Sequence, residues 1–371
     1  LVGSEMCIRD RLFLTGLHLE QYRHATYNPM DYYEEALSRE PGDVRCNNAM
    51  GLLWMRKGEF AKAEAHFRTA IKTLTQRNPN PYDGEPYFNL GWSCRMQGKI
   101  DEAYDAFYKA AWNAAWQDAS YFEIARIETI RGEYEKALES VEKSLTRNWH
   151  HHKARQLKCS LLRKMKYNEK AVAFADASLE IDSFNMGCRY ERYLASGENS
   201  DLEKLKELMR DWSHGYIEYA LDFVAGGLYE EAAGLLGLYL QDVEKVYPII
   251  YYLLGYICMK QSNPSLAQEY FVKAEKCDSA YCFPNRIEEV LILQEAVRQN
   301  PSDAKSFYYL GNFWYASRRY ENAVSCWEQS ATIDPEFPTV WRNLSLAYYN
   351  KCNNREKAVA ALEKAFALDN T

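Results

Sequence analysis

The chain has 371 residues, 47% apolar and 26% charged, with a formal net charge of -7. That charge argues against a general nucleic-acid binder, and no apolar run reaches the roughly 18 residues that a membrane span needs. Ten cysteines, scattered from Cys7 to Cys352 without a C-x-x-C pair, give no disulfide framework; they read as free thiols of a reducing compartment, so a cytoplasmic location is expected.

Leu1 to Arg11, LVGSEMCIRDR, has neither an initiator Met nor the apolar stretch of a signal peptide. It resembles translated sequencing-adapter readthrough and is set apart from the fold; on that reading the chain is expected to be a fragment whose true N-terminal part is missing. Residues 12–43 are expected to hold a cap and a half repeat, ending in Ala36-Leu37 and Pro41.

A period then begins. Ala63, Ala103, Ala137 and Ala171 are 40, 34 and 34 residues apart, followed four residues later by Phe67, Phe107, Val141 and Ala175. Ala232, Ala267, Ala323 and Ala358 continue the series with Leu236, Phe271, Trp327 and Leu362. Each copy reads as a helix pair with one apolar stripe. Small residues allow close approach, bulky ones fill the gap, and no single pair can bury its own face, so pairs must stack. Units start near Val44, Gly84, Asp118, His152, Ser213, Pro248, Ala304 and Pro338. Gly58, Gly98, Gly132 and Gly227 suit the turns after first helices. The stretch 186–212 fits poorly and reads as a degenerate repeat or bend. It separates a first subarray (44–185) from a second (213–283), with a half repeat and C-terminal units in 284–371.

One insertion interrupts the period. Arg77 to Pro86, RNPNPYDGEP, carries two Asn-Pro steps and an Asp-Gly, the chemistry of an ordered loop.

The clearest copy, Phe307, Leu310, Gly311, Trp314, Ala323, Trp327, Ser330 and Pro335, resembles the tetratricopeptide (TPR) repeat at each key position. The resemblance implies an all-α, right-handed superhelical solenoid. Across Gly16 to about Arg155, GLHLEQYRHATYNPMDYYEEAL, NPNPYDGEPYFNLGW and YDAFYKAAWNAAWQDASYF are also similar to a bacterial family of large proteins. Members of that family carry a β-rich, mutarotase-like N-terminal region before their TPRs. This narrower resemblance implies a carbohydrate-related parent whose missing domain is one possible partner.

In TPR proteins the first helix of each pair lines a concave groove. The corresponding 40 positions here hold ten Lys or Arg and one acid, Glu85. The expected ligand site is Arg45, Asn48, Phe88, Trp92, Arg95, Phe122, Arg126 and Arg163. Guanidiniums would grip the anionic groups of a protein or peptide segment, and Phe88 and Trp92 would offer a flat apolar contact. Trp112 and Trp116, four apart on one expected helix face, are candidates for stacking a sugar ring. No metal or cofactor is expected: His150, His151 and His152 are consecutive and share no helix face, and no P-loop, zinc-protease or nucleophile-elbow motif occurs. A hydrolase needs two facing carboxylates, and the groove offers only Glu85, with Asp83 beside it. A non-catalytic recognition scaffold is therefore expected.

Overall fold

The computed structural model describes residues 2–22, 26–80 and 82–369. Leu1, the Cys7 side chain and Pro81 of the insertion lie outside the described residues. Among those described, the chain forms 21 α-helices and one short 3-10 turn, with no strand.

Two compact units divide it, Leu1–Leu202 and Glu203–Thr371. The first holds α1 (Val2–Gln21), α2 (Pro29–Arg39), α3 (Val44–Arg56), α4 (Phe60–Leu74), α5 (Glu85–Met96), α6 (Ile100–Ala110), α7 (Gln117–Ile130), α8 (Tyr134–Arg147), α9 (His152–Lys164), α10 (Asn168–Ile181) and α11 (Met186–Ser196). The boundary falls within α12 (Asn199–Met209). The second unit continues with α13 (Ser213–Ala225), α14 (Tyr229–Asp242), α15 (Pro248–Lys260), α16 (Pro264–Lys276), α17 (Ile287–Gln299), α18 (Ala304–Ala316), α19 (Tyr320–Ile333), α20 (Pro338–Asn350) and α21 (Arg355–Leu368).

Local chemistry sets these boundaries. Side-chain caps open several helices: Asp43 accepts from the Cys46 amide at 2.8 Å, Asn185 from Cys188 at 3.0 Å, and Asp303 from Lys305 at 2.9 Å. Proline occupies the first helical turn of α2, α5, α15, α16 and α20, where its missing N–H costs nothing. Nine turns between paired helices share one left-handed residue. Five use glycine (Gly58, Gly98, Gly132, Gly197 and Gly227, φ 71 to 76°), and four use Lys166, Ser262, Arg318 and Asn353 (φ 50 to 66°). The same conformation therefore recurs whether or not the sequence supplies the residue that adopts it most cheaply.

Packing follows the alanine period. Ala63, Phe67, Ala103 and Phe107 have no exposed surface and share one core with Leu90, Cys94, Ile124 and Ile127. Burying each phenylalanine contributes about 2 kcal/mol or more. The first helix must leave room for the ring: a Cβ placed on Gly91 would lie 2.6 Å from Phe107, and one on Gly311 would lie 2.5 Å from Trp327. Small hydroxyls on second helices tie each pair at its far end, Ser144 to the Asp118 carbonyl (2.8 Å) and Ser330 to that of Ala304 (2.7 Å).

Two segments acquire definite structure. Residues 8–11 form part of α1, where Arg9 pairs with Glu40 (3.2 Å) and Asp43 (3.1 Å). Residues 186–209 form the helix pair α11 and α12, separated by Gly197 in the left-handed conformation (φ 73°).

Candidate functional site

The first helices of successive pairs carry a row of polar contacts from one pair to the next. Between α1 and α3, Asp10 pairs with Arg45, and Glu20 with Arg56 at 2.6 Å. Between α3 and α5, Asn48 donates to Glu85 (2.9 Å) and accepts from Asn89 (2.9 Å). Between α5 and α7, Arg95 pairs with Glu123, which also takes Arg126 at 3.0 Å from its own helix. Between α9 and α11, Arg163 grips Glu191 with two nitrogens (2.6 and 3.2 Å), and Ser160 adds a third bond at 2.8 Å.

The arginines selected from the sequence thus all lie in contacts between neighbouring first helices or, for Arg126, on the carboxylate that forms one. They are not bare cations. Arg45 is the most open, and its guanidinium lies 4.8 Å from the Phe13 ring centre as well as against Asp10. Burial matters most at α5 and α7. The Arg95, Arg126 and Glu123 side chains are 9%, 7% and 4% exposed, so charge there acts through little solvent and is weakly screened.

Aromatic rings lie under these charges. Arg95 sits 5.5 Å from the centre of Trp92, and Arg126 sits 4.2 Å from that of Phe122. Trp92 is half-buried, as are Leu52 and Met55 on α3 and Met96 on α5. Phe122 is buried and also meets the His151 ring at 4.5 Å. Phe88 packs between Phe107 (5.5 Å) and Trp116 (4.9 Å), and both members of the expected apolar pair, Phe88 and Trp92, are half-buried against the same core.

The paired tryptophans require a correction. Trp112 and Trp116 do not share a helix face, because α6 stops at Ala110. Asn113 ends it: its side chain accepts from the Ala115 amide at 3.0 Å and donates to the Tyr82 carbonyl of the insertion, starting a 3-10 turn over Ala114–Trp116. Trp116 then turns onto Phe88, while Trp112 is 65% exposed with the Lys109 ammonium 3.7 Å from its ring centre. The two-ring platform expected for a sugar is not formed. The insertion also fastens to this corner through Lys109 and Asn80 (3.0 Å), and Asp83 accepts the Glu85 amide (2.9 Å) rather than facing it as a second acid.

Two other clusters bear on chemistry. His151 caps α9, accepting from the Ala154 amide at 3.1 Å, and burial holds its imidazole below the usual histidine range. Glu64, Cys94 and Glu102 lie close enough to suggest a metal. Glu64, however, already accepts from Lys99 (2.7 Å), Arg68 (2.8 Å) and Gln97 (2.8 Å). Burial pushes its carboxyl up, but those bonds outweigh it and bring it down to about 2.

The sequence reading missed the acids. Glu123 follows a predicted groove position by one residue and precedes Arg126 by three, an ion-pair spacing on a helix. Glu191 lies within the stretch read as degenerate, and Asp10 within the stretch set aside.

Comparison with known proteins identifies the repeats. Family models described as Tetratricopeptide repeat match residues 31–81 and 292–339, and a further one matches 249–281. The chain therefore carries TPR repeats. Among solved structures it is similar to a tetratricopeptide repeat protein from Parabacteroides merdae, at 16% identity over 86% of this chain and 98% of that one, with a TM-score of 0.36. It is also similar to Pseudomonas aeruginosa PilF (14% identity, 74% and 93% covered, TM-score 0.39). A third is YrrB, described as a TPR protein with an unusual peptide-binding site (21% identity, 63% and 94% covered, TM-score 0.22). The narrower resemblance to proteins with a mutarotase-like region finds no support in these matches.

Proposed function

We propose that this TPR scaffold binds a protein segment along the first-helix face of residues 44–164, with an anionic stretch of that segment held near α5 and α7. The reading rests chiefly on one observation: Trp92, half-buried, has the Arg95 guanidinium 5.5 Å from its ring centre, with Leu52, Met55 and Met96 also half-buried on α3 and α5. A flat ring beside partly exposed aliphatic chains suits an apolar side chain of a ligand, and aromatic anchors of this kind carry much of the energy of protein interfaces. Two guanidiniums converging on Glu123 favour anionic residues next to that anchor, through a field that low exposure leaves strong. Because the arginines also join the repeats, recognition and array stability share the same residues. The role is one of binding, and no catalytic step is assigned.

The test uses the full chain against arrays of short peptides matched in length and apolar content but acidic, neutral or basic. Acidic peptides with one large apolar residue should bind best. Trp92→Ala should weaken them about tenfold, near 1.4 kcal/mol, without changing the helical content. Equal binding of acidic and basic peptides, or an unchanged affinity in Trp92→Ala, would remove this site.

A further inference from the structure

We propose that Cys159 of α9 and Cys188 of α11 form a peroxide-responsive dithiol, which closes to a disulfide across the joint between two successive first helices. Both residues are fully buried, and their sulfurs are 3.9 Å apart. A disulfide requires about 2 Å between sulfurs. The remaining gap is within reach of side-chain rotation and a small helix adjustment, because α9 and α11 are direct neighbours.

One cation, Arg155, favours a negatively charged sulfur here, against burial and the Glu191 carboxylate. Arg155, one turn before Cys159, is itself fully buried and has no carboxylate partner among the described contacts. Its Nε donates to Ser178 (3.0 Å) and one terminal nitrogen to the Trp149 carbonyl (3.1 Å). The other terminal nitrogen is buried without a partner among the described residues. The guanidinium lies between the rings of Trp149 (4.5 Å) and Phe174 (4.8 Å). Phe174 in turn packs on the Cys159, Ala175 and Cys188 cluster, which places the cation beside the thiols. Cys188 occupies the first turn of α11, where the backbone N–H groups also favour an anion. At rest Cys159 is held as the thiol: the hydrogen bond with Cys188, then burial, raise it well above its ordinary value.

The chemistry balances with hydrogen peroxide as oxidant. The deprotonated Cys188 sulfur attacks one peroxide oxygen. An S–O bond forms, the O–O bond breaks, and the departing hydroxide takes a proton to become water. The Cys159 sulfur then attacks the sulfenic sulfur. The S–S bond forms, the S–O bond breaks, and the leaving hydroxide takes the Cys159 proton as a second water. Two thiols lose two electrons in all, and one peroxide gains them. Trp149, against Arg155, is exposed, whereas both cysteines are fully buried, which makes the reaction slow. The bond would join α9 to α11 beside the Arg163–Glu191 contact and stiffen that joint.

The test treats the reduced full chain with peroxide, quenches with an alkylating agent under unfolding conditions, and maps the unreduced peptides. A peptide joining Cys159 to Cys188 is expected, lighter by two hydrogens and split by dithiothreitol. The midpoint of thermal unfolding should rise by roughly 5–10 °C, reversibly. Cys159→Ser should lose the linked peptide and give a dimedone adduct at Cys188. Recovery of both residues as free thiols after exposed Cys352 has been oxidised would overturn the proposal. So would crosslinks confined to Cys352 between molecules, or a Cys159→Ser chain with no adduct at Cys188.

Discussion

The two units fasten their repeats by different chemistry. In Leu1–Leu202 the first helices are tied largely by charge: Asp10 to Arg45, Arg95 to Glu123, Arg163 to Glu191. In Glu203–Thr371 the Arg286–Glu218 ion pair is joined by contacts of hydroxyls, amides and rings. Tyr252 donates to Asp303 at 2.6 Å and meets Tyr309 at 6.0 Å, Tyr308 meets Phe337 at 4.9 Å, and Asn343 donates to Asn312 at 3.2 Å. One stacking geometry therefore accepts two solutions at its inner seam. The difference lies in what each tolerates. A buried ion pair gains little over an apolar pair of equal shape, but losing one member is severe. A hydroxyl–carboxylate contact loses less when broken, because only one of the two groups is charged.

The sharpest way to break this comparison is Glu123→Ala. It removes the carboxylate that the nearly covered Arg95 and Arg126 share, and a loss of about 3–5 kcal/mol is expected in chemical denaturation followed by helical circular dichroism. A loss below about 1 kcal/mol would mean that the ionic seam does not hold the first unit. Tyr252→Phe is the counterpart in the second unit. It strips the hydroxyl from Asp303, which is fully buried, and should cost about 1–3 kcal/mol. If Tyr252→Phe proved as damaging as Glu123→Ala, the two seams would be energetically alike.

A smaller contrast lies in the turns. The first unit places glycine at four of its five left-handed turn positions between paired helices and Lys166 at the fifth, whereas the second uses Gly227, Ser262, Arg318 and Asn353. Arg318→Gly should therefore stabilise the chain by about 1 kcal/mol, and Gly98→Ala should destabilise it by about the same amount. Nothing lies within 4 Å of a Cβ built on Gly98, so the Gly98→Ala effect would report backbone conformation alone. A Gly98→Ala variant as stable as the parent would show that the left-handed turn is not costly here.

Much of this was legible in the sequence because the determinants are local or periodic. The alanine spacing located the pairs, and Gly58, Gly98, Gly132 and Gly227 located turns, since close helix approach and positive φ each restrict the residue type strongly. The seam partners were not legible. A groove position is defined by its place on a helix, whereas Arg95 meets Glu123 only once two helices are stacked. The end of α6 was also hidden. Alanine-rich AAWNAAW favours helix, and its interruption depends on Asn113 bonding to Tyr82 in the insertion, which local propensity does not report. Arg155 escaped notice for a similar reason: a basic residue in an amphipathic helix reads as solvated until the packing of Trp149 and Phe174 around it is seen.

Acid should separate the two units in sign, with the smallest effect of the set. Lys99, Arg68 and Gln97 hold the Glu64 carboxyl down to about 2 against the upward push of burial. The native chain thus binds a proton there less readily than the unfolded chain does, and its stabilisation is present above the ordinary glutamate value of 4.5 and lost as pH falls from there towards 2. Asp303 behaves in the opposite way. Burial raises its carboxyl above the ordinary 3.8, more than the bonds from Tyr252 and the Ser306 amide lower it. Its contribution is complete below 3.8 and is lost as pH rises through the raised native value. Thermal midpoints of the parent, Glu64→Gln and Asp303→Asn measured from neutral pH down to about pH 3 would resolve the two. Glu64→Gln should remove part of the parent's loss in acid and flatten the profile. Asp303→Asn keeps the α18 cap, so it should gain on the parent at neutral pH and lose that gain in acid. Profiles that moved in the same direction for both variants would mean that Glu64 and Asp303 respond to protons alike, and that the opposite shifts of these two carboxyls do not govern stability in acid.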